Sequence, residues 1–269
     1  APDVLPPRQT LPDRIKEAGL EGQNKELILW LDDALGAIVS KLEEHDIDEN
    51  TVIFFFNDHG QKGKGTLYQG GVHNPSVIWK NGGFKAGDES HAKIQNIDFA
   101  PTILDIAGGT NVHDSFDGKS FLEVLQNQSD QARETMYFEL GYARAVIKGN
   151  YKYIAIRYPD YAENMTPQQR AEKLEKYNET RRFRNMEIVN EDPEAPFSHF
   201  DVIPGGGSAE HGSYGKKPAY FDRDQLYDLE VDPNEQINLA NDPDCKEVLG
   251  ELQMELQHYI DTLPGNFEL

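Results

Sequence analysis

Residues 52–79 constrain the fold more tightly than any other stretch of the 269. An apolar run, Val52-Ile53-Phe54-Phe55-Phe56, stops abruptly at Asn57-Asp58-His59-Gly60. A glycine-rich loop bearing Lys62 and Lys64 follows, and a second apolar run, Ser76–Trp79, comes after Pro75. The first run is β-branched and aromatic without polar alternation, as expected of a strand covered on both faces. In open α/β sheets, ligands gather just beyond the carboxyl ends of such strands. That places Asp58 and His59 where a site would be, and both side chains can bind a metal. The glycines around Lys62 and Lys64 let the backbone approach an anion closely. A hard cation beside a lysine-bearing loop points to an oxyanion ester as substrate. Taken alone, Asp-His-Gly reads equally well as a strand-ending turn, and isolated lysines are usually solvated charges. The order of the whole run carries the functional reading.

The flanking pattern fits an α/β architecture. Leu27, Ile28, Leu31, Leu35, Ile38, Val39 and Leu42 fall on one stripe at helical spacing, which reads as core packing. Ile94–Ala107 reads as a helix with Pro101 in its early turns and Gly108-Gly109 as its stop. Strand, helix and glycine loop in alternation predict a sheet with helices against it.

The pattern changes after about residue 130. Met136–Leu140, Ala143–Lys148 and Tyr151–Ile156 are short runs joined by Gly-Tyr and Gly-Asn turns, predicting an antiparallel meander. Leu226–Leu229 adds a strand, and Asp232-Pro233-Asn234-Glu235 turns the chain. A last helix is predicted from near Asp244, with Glu247 completing a capping box, burying Val248, Leu249, Leu252, Leu256, Tyr259 and Ile260. The expected organisation is therefore an α/β part over residues 1–130 and a smaller antiparallel subdomain over residues 131–269, interrupted by an insert at about 160–220. Within the insert, Thr166-Pro167-Gln168-Gln169 is a helix start, and the charged helix to about Phe183 reads as a solvated surface element. Arg181, Arg182 and Arg184 are its basic cluster. Residues 190–220 are polar and irregular, with Gly205-Gly206-Gly207, His199 and His211. A loop this long is usually functional or mobile; the expectation is that it borders a cleft, with His211 contacting substrate. The alternative is a flexible surface loop with incidental histidines.

Composition narrows the partners. Acidic residues outnumber basic ones 47 to 26, for a net charge of −21, so bulk neutralisation of nucleic-acid phosphates is excluded. An anionic substrate would have to be met by a local cationic patch. A single cysteine, Cys245, rules out an internal disulfide. No stretch is long or apolar enough to span a membrane.

Taken whole, Asp58-His59-Gly60 through Gly63-Lys64-Gly65-Thr66-Leu67-Tyr68 to Gly70-Gly71-Val72-His73-Asn74-Pro75 resembles the second signature region of the formylglycine-dependent (type I) sulfatases of the alkaline phosphatase superfamily. The resemblance implies an alkaline-phosphatase-like α/β sandwich domain with a small C-terminal subdomain of antiparallel sheet and one helix. The runs Lys148–Ile154 and Leu226–Glu235 look like that subdomain's recurring strands. It further implies that Asp58 and His59 bind calcium, and that Lys64 contacts the sulfate. Gln69 stands where Glu is frequent in the family, and His73 stands at the substrate-side position where Arg is frequent. The family's Cys/Ser-x-Pro-x-Arg motif, whose first residue becomes the formylglycine nucleophile, does not occur in these residues. Cys245 lacks the following Pro and Arg, and the early aspartate pair that completes the calcium site is missing as well. The chain is therefore expected to be the C-terminal portion of a longer sulfatase, partnered by the N-terminal part of the same protein, with a sulfated carbohydrate as substrate and a periplasmic or extracellular location. Two alternatives remain open: a phosphodiesterase or phosphonate hydrolase of the same superfamily, or a non-catalytic binding homologue.

Overall fold

The computed structural model describes residues 11–21, 25–60, 63–109, 116–188, 191–194 and 216–269. Lys62, His199, His211 and Gly205–Gly207 lie outside the described residues. The chain packs as two compact units, Ala1–Phe55 with Ser76–Glu89, and Phe56–Pro75 with Ser90–Leu269. The boundary read at residue 130 falls inside the second unit.

In the first unit, α1 (Leu11–Glu17) packs on α2 (Lys25–Glu44). Ile15 and Leu29 form the buried contact, with Leu20 and Trp30 against them, and the Arg14 guanidinium pairs with Asp33 across the two helices. β1 (Ile53–Phe56) and β2 (Ser76–Trp79) make a two-stranded sheet, as the apolar runs predicted. Burial departs from the expectation. Leu29 is the fully buried position of α2, while Leu27, Ile28, Leu31 and Ile38 are 45–56% exposed. Phe55, Phe56 and Val77 of the strands are exposed too, so β1 is not covered on both faces. Periodicity identified the apolar stripe correctly, but two strands and one short helix offer too little surface to cover it.

The second unit is built on a four-stranded antiparallel sheet in the order β3 (Thr135–Leu140), β4 (Ala143–Lys148), β5 (Tyr151–Ile156), β6 (Asp224–Asp228). The meander is as predicted: Ala145 opposes Ile154, and Tyr153 opposes Leu226. Strand alternation assigns its two faces. Val146, Tyr153, Ala155 and Leu226 pack with Leu252 and Leu256 of the last helix, α8 (Lys246–Thr262). On the other face, Ala145, Ile154, Ile156 and Tyr227 pack with Leu67 and Tyr68, which follow the glycine-lysine loop. The C-terminal sheet is thus the floor under that loop.

Three boundaries shift for local reasons. The helix expected over residues 94–107 begins as a 3₁₀ turn at Asn96–Asp98, and α4 runs Phe99–Ile106. The fully buried Asp98 accepts backbone N–H groups from Gln95 and Lys119, and the Arg133 guanidinium, which fixes that turn. At the C-terminal helix the cap is Asp242, which accepts the Asp244 N–H at 2.9 Å; Pro243–Cys245 form a 3₁₀ turn before α8 starts. The short helices α5 (Leu122–Leu125) and α6 (Asp160–Glu163) and the helical turn at Gln69–Val72 were not anticipated, nor was α1, in a stretch whose prolines suggested irregular chain. By contrast, α7 (Pro167–Phe183) has the capping box read from Thr166 and Gln169. It is not wholly solvated, because Leu174, Asn178 and Arg181 are buried. Within the described residues no helix is long and apolar enough to cross a membrane.

Candidate functional site

The loop from Asn57 to Pro75 owes its shape to glycines that leave no room for side chains. Gly60 donates its N–H to the Gly71 carbonyl at 2.8 Å, closing the loop at its neck. A Cβ on Gly60 would stand 2.1 Å from the Gly70 oxygen, and one on Gly71 would stand 2.3 Å from the Gly63 oxygen. Gly63 is equally closed, with the Gly71 nitrogen 2.6 Å from where its Cβ would be. Inside the neck, the Gly63 carbonyl accepts both the Thr66 N–H at 3.0 Å and the buried Thr66 hydroxyl at 2.7 Å. Gly65 adopts φ 75°, a conformation that disfavours other residues. The result is a compact knot of backbone carrying four of the candidate residues. Asp58 and His59 precede the neck, Lys64 lies at the exposed tip, and the exposed His73 follows α3 (Gln69–Val72).

Asp58 and His59 are oriented as a pair. The Asp58 Oδ1 accepts the His59 N–H at 3.0 Å, while Oδ2 lies 3.4 Å from the His59 Nε2. The His59 Nδ1 faces the Gly60 carbonyl at 3.1 Å. A carbonyl only accepts, so Nδ1 carries the proton in the neutral ring and Nε2 presents its lone pair. A carboxylate oxygen and an imidazole lone pair then face the same space, and a cation between them satisfies both. Two ligands at right angles around an ion at about 2.4 Å are about 3.4 Å apart, so the donors fit part of a coordination sphere. Asp58 is 87% exposed and His59 29% exposed, so the pair opens outward. Among the described residues no group of three or more His, Cys, Asp or Glu side chains converges. Cys245 does not supply a reactive thiolate; desolvation and the carboxylates of Asp242 and Asp244 push its pKa up.

The sequence reading missed what holds the knot from below. The buried Tyr68 hydroxyl donates to Gln225 Oε1 of β6 at 2.7 Å, and Tyr227 donates to the same oxygen at 2.9 Å. Burial drives the Tyr68 pKa well up, so its phenol stays a proton donor. One residue on, the Gln69 N–H donates to Glu235 Oε2 at 2.7 Å. Glu235 and its partner Lys152 of β5 are both 0% exposed, with Lys152 Nζ 2.7 Å from Glu235 Oε1. Burial lowers the Lys152 pKa, against the raising effect of the Glu235 carboxylate. The signal available in the sequence was Lys152 itself, a lone charge inside the run Tyr151-Lys152-Tyr153-Ile154. Nothing near it in sequence named its partner, which is 83 residues away.

A glycine knot over an antiparallel C-terminal sheet, in a chain that also carries an α/β unit, accords with an alkaline-phosphatase-like fold. A solved phosphonate monoester hydrolase from Agrobacterium radiobacter superposes over 89% of this chain and 41% of its own length, with a TM-score of 0.57 at 19% identity. Residues 23–109 match the Sulfatase family. An ulvan-active sulfatase from Formosa agariphila is 28% identical over 89% of this chain and 38% of its own length. A mouse (Mus musculus) N-acetylgalactosamine-6-sulfatase is 29% identical over 49% of this chain and 29% of its own length. The chain is therefore similar to sulfatases, through the family match at residues 23–109 and through relatives aligned along much of its length. It spans less than half the length of these relatives.

Proposed function

We propose that this chain is the C-terminal portion of a sulfuric ester hydrolase acting on a sulfated carbohydrate, with its loop at residues 57–75 forming one side of the sulfate site. The observation that carries this reading is the glycine knot, which places an outward-facing Asp58–His59 pair and an exposed Lys64 on one rigid element. Sulfate ester cleavage builds negative charge on the nonbridging oxygens and on the leaving alkoxide. The Lys64 ammonium would hold a nonbridging oxygen, and His73 would reach the same anion from the other end of the loop. Asp58 and His59 would hold a divalent metal, of which calcium suits the carboxylate best. Such an ion, when bound, stabilises developing charge as a Lewis acid. In this reading the formylglycine nucleophile and the remaining metal ligands belong to an N-terminal segment of the same protein. The apolar residues left exposed on α2, β1 and β2 are consistent with such a segment, since large exposed apolar surface commonly marks a place where a partner packs. The carbohydrate preference rests on the names of the relatives. His211 in the polar insert is retained as a further substrate contact, and a periplasmic or extracellular location accompanies the reading.

The test uses the full-length protein on a 6-O-sulfated N-acetylhexosamine and on a phosphonate monoester. Sulfate release that exceeds phosphonate hydrolysis, and that falls after chelation and returns with calcium, supports the reading. Faster turnover of the phosphonate would instead favour the phosphonate hydrolase alternative. Turnover of neither substrate would leave only the non-catalytic binding homologue.

A further inference from the structure

The buried charges beneath the loop have no place in the reaction just described. Glu235 is completely buried, yet its carboxylate is fully used: Oε1 takes the Lys152 ammonium, and Oε2 takes the Gln69 N–H and the Lys217 ammonium, the last at 3.3 Å. Lys217 also lies 4.6 Å from the centroid of the Tyr68 ring. Glu235 sits at φ 53°, a left-handed conformation that costs a residue with a side chain conformational energy. A buried ion pair is seldom worth its desolvation, and apolar replacements of similar size are often neutral or stabilising. Stability alone therefore does not account for a strained glutamate facing a buried lysine. What distinguishes it is the third partner. The Gln69 N–H opens α3, whose next two residues are Gly70 and Gly71, the residues whose backbone leaves Gly60 and Gly63 no space. A displacement at Gln69 is passed to Gly63, and so to Lys64 one residue on.

We propose that Glu235, held in place by Lys152, is a positioning residue that sets the register of the glycine knot and thereby aims Lys64 at the sulfate. The proposal rests on the sulfate-handling reading of that loop. Glu235 touches neither substrate nor metal; it acts only through the Gln69 amide. Lys152, the second residue of the inner strand β5, neutralises the buried carboxylate beside the Gln69 amide.

The test compares two double variants in the full-length protein. Lys152→Met with Glu235→Gln removes both charges but keeps an acceptor oxygen for the Gln69 amide. Lys152→Met with Glu235→Leu removes the acceptor too. Sulfate ester turnover is expected to stay within about threefold of the parent in the first, and kcat/KM to fall about tenfold or more in the second, since small misplacements of a binding group carry losses of this order. Both should keep a cooperative melting transition. The stabilising shift in Tm given by inorganic sulfate is measured in parallel, with Lys64→Ala as the baseline for non-specific salt stabilisation. The Leu variant should drop to that baseline, and the Gln variant should not. Equal activity and equal sulfate shifts in the two folded variants would overturn the proposal, as a purely structural pair predicts. If the Leu variant does not fold, Glu235→Asp takes its place: it keeps the charges, draws the acceptor back by one methylene, and must lower kcat/KM at least fivefold for the proposal to stand. A parent whose turnover is indifferent to Lys64→Ala would instead defeat the functional reading, whatever the Glu235 variants do.

Discussion

The two units handle apolar surface in opposite ways. Between the four-stranded sheet and α8 and within the sheet, Ala145, Val146, Tyr153, Ala155, Leu226 and Leu256 are each completely buried, and exposed apolar side chains such as Val231, Ile237 and Met254 lie away from these contacts. Along α2 and the two-stranded sheet, the side chains with the clearest periodicity stand in solvent. The first region has its partners within this chain, because a hairpin-linked antiparallel sheet closes on itself through local turns and one covering helix. The second consists of strands whose run of Val, Ile and Phe is written for burial on both faces. The difference teaches that the four-stranded sheet buries its apolar faces with residues of its own unit, while the apolar stripe of α2 and the β1–β2 strands is left largely exposed. The glycine knot follows β1 in sequence and packs, through Leu67 and Tyr68, on the four-stranded sheet.

The comparison breaks first at the knot. Gly71→Ala places a Cβ against the Gly63 and Thr66 carbonyls, which only a backbone shift relieves. Sulfate ester hydrolysis by the full-length protein is expected to fall by about a hundredfold or more, measured as kcat/KM, while α8 and its sheet keep their structure. Near-parental activity would mean that the loop tolerates repacking and is not the rigid element described.

A smaller effect separates the two apolar surfaces. Leu256→Ala, at a fully buried position, should destabilise the chain of residues 1–269 by about 2–5 kcal/mol, read from denaturant unfolding. Ile28→Ala, at an exposed position of α2, should change it by less than about 0.5 kcal/mol. In the full-length protein the second substitution should become costly, because its side chain is then covered. An equally silent Ile28→Ala in both forms would show that the exposed stripe meets no partner.

The smallest effect tests the α1–α2 contact. Hydrogen bonding from Arg14 holds the Asp33 carboxyl below its usual pKa. A group with a lowered folded pKa stabilises above its unfolded value and loses that contribution as pH falls through the folded one. Asp33→Asn should therefore lower Tm slightly at pH 7, with the difference from the parent shrinking as the pH falls below the normal aspartate range, about 4, and vanishing below the lowered folded value. A difference that persists in acid would assign the effect to packing.

How much of this was legible in the sequence follows from range. Elements set by their own residues were readable: the period-two runs of β3 to β5, the Thr166 capping box, and the glycine knot with Asp58, His59 and Lys64 at its bends. The burial of α2 was not, since periodicity tells which face is apolar but not whether these residues cover it. The Glu235 anchor was illegible for a different reason. Asp232-Pro233-Asn234-Glu235 reads as an ordinary turn, and only the folded sheet brings Glu235 to Lys152 and Gln69, 83 and 166 residues away. The start of α8 was misplaced because Asp242, Asp244 and Glu247 offer competing caps, and the 3₁₀ turn at Pro243 selects the first.

The central claim is that the loop at residues 57–75 handles sulfate through Lys64. Sulfate released from a 6-O-sulfated N-acetylhexosamine by the full-length protein and by its Lys64→Ala variant tests this most directly. The account requires release by the parent and a loss of about a hundredfold in the variant, the scale of removing one preorganised charge-stabilising donor. Release at the parental rate by Lys64→Ala would contradict it.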